Sequence, residues 1–333
     1  MSTIYINKNC PFIGQQCSYY LELQESPYAW IQYLVNGICR VANPLFFFIS
    51  GMLFFNGVNT VKDCFPKMRK RIKSLLIPYL IWNIVFVLWY VVLAIIPGVG
   101  GFVNGDILQH FKGSIWDSFS FLYIKPANFP LWFLRDLICL VFFSPAIYYL
   151  LKYTKFWIIL VLIIISPWVS CVFTGLHVFF FIGGYIALNH SLEQIDKFIT
   201  KPLYFISFLL YCGIIYLAAT QQSEIIRFSE IILNIGAVTF VWKTYDMIAK
   251  GRNAIDYRFW KFVLGYTFFI YLFHEPAFNI VKKIPVRVVG GDPDLLLFFY
   301  FLNPLIMVIV SISVAKSLQY LTPRFYSLIV GGR

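Results

Sequence analysis

Charge is what this chain has least of. Asp, Glu, Lys and Arg make up 13% of its 333 residues, against about 25% in an average soluble domain. Hydrophobic residues supply 60% and aromatics 20%, and the mean hydropathy is +0.75. So little charge excludes an ordinary soluble domain and points to a polytopic membrane protein, in which length is divided into spans of roughly 20 residues. Acidic residues are scarcer still: 15 against 27 Lys and Arg, for a net charge of +12. The excess does not indicate a nucleic-acid partner, because the basic residues form no single stripe interleaved with aromatics. They sit in short loops between apolar runs, where Lys and Arg orient a chain in the bilayer.

Other absences narrow the chemistry. Seven cysteines occur without a Cys-x-x-C pair or a Cys/His cluster, so the spacing offers no zinc site and no metal ligands are assigned. Cys10 and Cys17 either form a disulfide, if the N-terminal tail faces an oxidising compartment, or stay as free thiols. Neither G-x-x-x-x-G-K-S/T nor G-x-G-x-x-G accompanies the basic stretch, so a nucleotide-hydrolysing or dinucleotide site is not indicated. The opening "MSTIYINKNCPFIGQQ" lacks a basic region followed by an apolar core and does not read as a cleavable signal.

What is present is a succession of apolar runs. Read against polar breaks, they predict an all-α, polytopic helix bundle of about nine spans, at 36–57, 74–97, 131–151, 156–173, 176–188, 202–220, 230–248, 262–281 and 295–319. The fourth and fifth form a tight pair around Gly175, where a re-entrant or tilted segment is an alternative. Residues 1–35 read as an external tail and 36–333 as the membrane domain. Alternate loops, with Lys316 counted at the C-terminal end, hold 17 Lys and Arg on one side and 7 on the other. The richer side is expected in the cytoplasm, with the C-terminus there and the N-terminus outside. The long connection 98–130 carries Ile107, Leu108, Phe111, Ile115, Trp116 and Phe119 at three- and four-residue spacing. It reads as an amphipathic helix at the outer surface that rests on lipid or covers a site.

Charged residues at or inside the spans are few: Arg40, Arg135, Asp136, Glu230, Lys243, Asp246, His274 and Glu275. Ionisable groups there are costly and usually face a cavity or a partner. Lys243 and Asp246, three apart on one helix, are explained by a local ion pair. Arg135 and Asp136 have two readings: Arg135 snorkels while Asp136 pairs with it or with another span, or both line a polar cavity shared with Arg40 and His274. His274 and Glu275 precede Pro276, which disfavours helical geometry at Glu275, so the eighth span is expected to kink or stop there. The basic cluster "KDCFPKMRKRIKSLLIPYLIW", with Lys67, Arg69, Lys70, Arg71 and Lys73, orients the chain and attracts anionic lipid; alternatively it recognises a phosphorylated ligand.

Five stretches, in order, resemble those of the integral-membrane acyltransferase-3 family: "RVANPLFFFISGMLFF", "KRIKSLLIPYLIWN", "PLWFLRDLI", "FFFIGGYIA" and "FFIYLFHEP". The resemblance covers about residue 36 to the end. It implies a multi-helix enzyme of the bacterial cytoplasmic (inner) membrane that moves an acyl group, commonly acetyl from acetyl-CoA, to a hydroxyl of a surface or exported glycan. No cofactor is bound; acyl-CoA is a co-substrate, and the other partners are the bilayer and the glycan. Arg69, Lys70, Arg71 and Lys73 match the donor region, usually Arg-x-x-Arg. Here Lys70 and Lys73 have that spacing while Arg71 is matched by Ser74. Arg40 and Trp132 are the implied acceptor contacts, and His274, Glu275, Arg135 and Asp136 the catalytic candidates. The family's first helix, with a basic residue and a His at its outer end, has no counterpart in residues 1–35, so the chain reads as beginning one helix late. His177 is a weaker candidate base; His110 falls in a loop and His190 on the cytoplasmic side. A glycan or solute transporter and an inactive family member are the alternatives.

Overall fold

The computed structural model describes residues 28–95, 113–124, 126, 128–220, 223–250, 257–281 and 292–332. Cys10, Cys17, His110 and the first half of the amphipathic stretch lie outside them. Among the described residues every regular element is helical, as expected of a chain whose apolar runs must satisfy their own backbone in lipid. The chain is a polytopic helical membrane protein.

The helices are α1 (Ala29–Cys39), α2 (Ala42–Phe55), α3 (Val61–Ile95), α4 (Ile115–Phe119), α5 (Trp132–Phe142), α6 (Ser144–Thr154), α7 (Trp157–Ile165), α8 (Val178–Asn189), α9 (Leu192–Phe198), α10 (Lys201–Ala219), α11 (Ser223–Lys250), α12 (Tyr257–Val281), α13 (Pro293–Leu321) and α14 (Pro323–Ile329). Each of the nine predicted segments contains a helix, but fewer cross a membrane on length and composition. Five candidate spans qualify among the described residues: Ala29–Phe55, Val61–Leu93, Lys201–Ala219, Phe228–Ile248 and Pro293–Leu321. The α5–α6 pair makes a sixth if its 65° bend is counted within one span. Pro145, in the first turn of α6, has no N–H to extend the ladder from α5, which accounts for the break.

The predicted fourth and fifth spans fall short. α7 has nine residues and α8 twelve, rising about 13 and 18 Å where the hydrocarbon core needs roughly 30 Å. Between them Ser166–Thr174 forms a closed polar turn. Thr174 Oγ1 donates to the Val169 carbonyl at 2.7 Å, Gly175 N donates to Ser166 Oγ at 2.9 Å, and Gly175 takes φ +62°. Two further expectations change. The first span starts at Ala29 rather than 36. Of the kink or stop expected at Pro276 the stop is not taken: α12 runs through it to Val281, where the predicted eighth span ends. Interior proline leaves the Leu272 carbonyl without its usual donor, a loss that membrane helices tolerate when neighbouring groups compensate.

The chain divides into two compact units, one comprising Trp30–Ile72 and Asp136–Ile255, the other Lys73–Arg135 and Asp256–Arg333, besides N-terminal residues. In the first unit α2 and α8 lie backbone against backbone. A Cβ on Gly51 would stand 2.1 Å from the Phe180 carbonyl oxygen, and one on Gly183 2.0 Å from that of Phe48. Small residues at such crossings let main chains approach and gain dispersion contact. Around them Phe47, Phe54, Phe55, Phe179, Phe180 and Phe181 are buried. α10 and α11 pack similarly, with Gly236 under Leu210 and Tyr204 stacked on Phe240.

In the second unit α12 packs on α13, and α14 folds back onto α3. Trp82 of α3 donates its indole N–H to the Ile329 carbonyl at 3.1 Å and meets Phe269 of α12 edge-on. Gly331, at φ +71°, touches the Ser74 carbonyl so closely that a Cβ would stand 2.1 Å away. A side chain there would be excluded by both conformation and space.

Candidate functional site

Within the first unit the structure joins Asp136 of α5 to His177, at the end of the 3-10 turn that opens α8. His177 Nε2 lies 2.9 Å from Asp136 Oδ2, and its Nδ1 lies 2.8 Å from the Thr174 carbonyl oxygen. Asp136 is 3% exposed, and the edge of the Phe47 ring closes over the imidazole at 4.9 Å. Both ring nitrogens therefore meet acceptors. The arrangement is satisfied by an imidazolium beside a carboxylate, or by a neutral imidazole receiving the carboxyl proton. Neither form leaves a ring lone pair for a substrate. Arg40 in the same unit pairs with Glu230 of α11 at 3.2 Å. The sequence named all four residues but did not join His177 to Asp136 or Arg40 to Glu230, because partners far apart in sequence leave no spacing signal.

In the second unit His274 differs from His177. Its Nδ1 meets the carbonyls of Tyr271 at 2.8 Å and Ile270 at 3.2 Å, so Nδ1 carries the proton. Among the described residues nothing is bonded to Nε2, whose lone pair is then the ring's remaining acceptor. A backbone carbonyl thus fixes the tautomer that a general base requires. Glu275 follows about 100° around the helix, so it is not a facing partner of His274.

The connection leading into α5 belongs to the same unit and is gripped from three helices. Tyr79 of α3 donates to the Tyr123 carbonyl at 2.7 Å, Arg135 of α5 to the Ile124 carbonyl, and Tyr271 of α12 to the Pro130 carbonyl at 2.6 Å. Arg135, a catalytic candidate from sequence, thus holds main chain at the end of the π turn Ser120–Ile124. Trp132, half-buried, stands edge-on to Phe133, which in turn meets Tyr271. Asn128 in this connection went unnoticed in the sequence. It is 1% exposed, and among the described residues neither atom of its side-chain amide has a partner.

The donor candidates lie on α3. Arg69, Lys70, Arg71 and Lys73 are exposed, but they do not share one face. At about 100° per residue, Arg69, Lys73 and Lys70 fall within a roughly 100° arc that also holds Lys62, while Arg71 falls beside Lys67 on the far side. Lys67 faces protein: its ammonium donates to the Phe54 carbonyl at 3.1 Å and to that of Asn56, closing the C-terminal end of α2. Asp63 opens α3 by accepting from the backbone N–H groups of Asn59 and Thr60.

Residues 18–316 match the acyltransferase domain family known as acyltransferase 3. Among curated proteins, succinoglycan biosynthesis protein ExoH of Rhizobium meliloti (strain 1021) is 24% identical over 318 residues, an alignment covering 91% of this chain and 82% of that protein. No solved structure matches. Matched over most of its length, the chain belongs to the acyltransferase 3 family, and membership implies acyltransferase activity.

Proposed function

We propose that the protein is a membrane O-acyltransferase that moves an acyl group, acetyl in the simplest case, from acyl-CoA to a hydroxyl of a surface or exported glycan. The observation that carries the reading is His274, with Nδ1–H anchored on a backbone carbonyl and Nε2 open. In the reaction the acceptor oxygen attacks the thioester carbonyl while Nε2 takes the hydroxyl proton. An ester C–O bond forms, the C–S bond breaks, and the departing thiolate takes up the proton as free CoA. Lys62, Arg69, Lys70 and Lys73 are the cations assigned to the phosphates of acyl-CoA, since clustered ammonium and guanidinium groups suit phosphate. Arg135 and Asp136 act through what they hold, the Ile124 carbonyl and His177. Arg40 and Trp132 remain proposed acceptor contacts, and Glu275 a proposed catalytic carboxylate.

The distant relative named for succinoglycan biosynthesis favours a polysaccharide acceptor. The family resemblance favours an inner-membrane chain, and the Lys and Arg gathered at the start of α3 favour a cytoplasmic position for that end of the helix. The test is transfer of label from [14C]acetyl-CoA to glycan by the purified protein in lipid nanodiscs, with glycan acylation compared in producing and deletion strains. Label on the glycan and loss of ester in the deletion support the proposal. Unchanged acylation with altered export points to a transporter; neither effect points to an inactive member.

A further inference from the structure

The connection 113–131 does not rest beyond the end of α3. Phe121 is buried against Phe86 of α3, with Val87 and Tyr90 alongside, and Tyr79 of the same helix bonds the carbonyl of Tyr123. Tyr79 lies sixteen residues before the end of α3 at Ile95, about 24 Å back along the helix. Helical side chains lean toward the N-terminus, so the Tyr79 hydroxyl lies at least that far back. The π turn Ser120–Ile124 therefore lies alongside the apolar part of α3. Non-helical backbone at that depth is tolerated only where protein buries it or where it lines a polar cavity. Three side-chain donors, Tyr79, Arg135 and Tyr271, satisfy carbonyls along it.

Asn128 is the exception. It occupies the position before the 3-10 turn Phe129–Leu131, where Asn commonly turns its side chain back to cap the backbone, yet it makes no such bond. Its carbonyl accepts from Leu131 N at 3.0 Å, so its backbone is used while its side chain is not. A buried amide with an open N–H2 and an open C=O is costly, and such groups in folded proteins are nearly always met by something. The two open atoms ask for a partner that donates and accepts at once. A hydroxyl does both; a thioester carbonyl or a carboxylate engages only the N–H2. Two residues on, Tyr271 of α12 binds the Pro130 carbonyl, and one further turn of α12 carries His274.

We infer that the stretch 128–131 is a wall of the acceptor site and that the side-chain amide of Asn128 binds a hydroxyl of the glycan acceptor. The assignment rests on the O-acyltransferase reading, and its test has an arm independent of catalysis. Wild type, Asn128→Leu and Asn128→Gln in nanodiscs are compared with a panel of unacylated tetrasaccharides of glucose, galactose, N-acetylglucosamine and rhamnose. Oligosaccharide binding, acceptor KM and acetyl-CoA Kd are measured, with thermal midpoints as the check on folding. Asn128→Leu is expected to weaken oligosaccharide binding and raise acceptor KM by tenfold or more. Acetyl-CoA Kd should stay within twofold and the midpoint at or above wild type, since an unpaired amide is removed. Asn128→Gln should recover part of the binding.

Unchanged oligosaccharide binding in a folded Asn128→Leu overturns the assignment and leaves a buried water as the amide's partner. A rise in acetyl-CoA Kd instead overturns it in favour of the donor, and wild-type protein that binds none of the panel overturns it outright. If wild type binds an oligosaccharide but transfers no acetyl group, the catalytic reading fails while loss of binding in Asn128→Leu still supports the site.

Discussion

His177 Nε2 and Asp136 Oδ2 stand 2.9 Å apart, with the other ring nitrogen on the Thr174 carbonyl. The pair ties the turn that opens α8 to the first helix of the bent pair. Each group is tolerable in an apolar interior because the other is there: a buried ion pair can break even, whereas one buried partner alone is strongly unfavourable. With both ring nitrogens occupied, the pair is a brace rather than a base.

Removing one partner should therefore cost more than removing both. His177→Ala takes the imidazole away from the buried Asp136 carboxylate, and the expected loss is about 3–5 kcal/mol. In the double variant Asp136→Leu/His177→Leu much of that loss should return, because the buried carboxylate goes with the imidazole. Thermal midpoints from fluorescence-detected size exclusion check this. A single variant that melts like wild type, or a double variant worse than both singles, contradicts the brace.

The α2–α8 crossing makes a second prediction about stability alone. Gly51→Ala and Gly183→Ala each set a Cβ against a backbone oxygen at about 2 Å, and a helix backbone cannot step aside as a flexible side chain can. Overpacking of this kind costs about 1–3 kcal/mol, and here the upper end is expected. Gly265 on α12, with nothing among the described residues within 4 Å of its would-be Cβ, is the control: Gly265→Ala should leave the midpoint unchanged or raised. Equal midpoints for all three would deny the close crossing.

The sequence exposes these two sites unequally, for physical reasons. The runs "FISGM" and "FFFIGGYIA" announce helices with small residues in apolar surroundings, so α2 and α8 are legible as helices that another backbone can approach. That α8 is only half a span is not legible, because Trp168, Val169, Val172 and Phe173 carry the apolar pattern on through the turn between α7 and α8. Pro276 misleads in the other direction: a proline that ends an isolated helix is carried through where surrounding groups compensate for the lost bond. The candidate site divides in the same way. Arg135, Asp136 and His274 stand out as ionisable groups in apolar runs. Asn128 does not, since an asparagine before Phe-Pro looks like ordinary turn chemistry until its burial and its unused amide are seen.

His274 separates a chemical role from a structural one. His274→Asn keeps a donor near the position of Nδ1, able to reach the Tyr271 carbonyl, and removes the open nitrogen. Loss of a general base costs roughly 10²–10⁴ in rate. The expected result is a fall of that size in kcat for acetyl transfer, with acceptor and donor KM within a fewfold and an unchanged melting midpoint. Activity above half of wild type would remove His274 from the reaction.

The last prediction divides the basic cluster by what each cation touches. Lys67 donates to the carbonyls of Phe54 and Asn56 at the negative end of α2, where a cation stabilises both the open carbonyls and the helix dipole. Lys67→Met should lower the midpoint and leave acyl-CoA KM alone. Arg69→Met, Lys70→Met and Lys73→Met remove exposed charges from one arc of α3, so their midpoints should hold. Each should raise acyl-CoA KM several-fold, with a difference that shrinks as salt rises, because exposed charges are screened within about 10 Å at 0.1 M ionic strength. Arg71→Met, on the far side with Lys67, should change KM less than any of the three. If Arg71→Met and Lys67→Met raise acyl-CoA KM while the other three do not, the donor approaches the opposite face of α3 and the assignment of cations to phosphate is reversed.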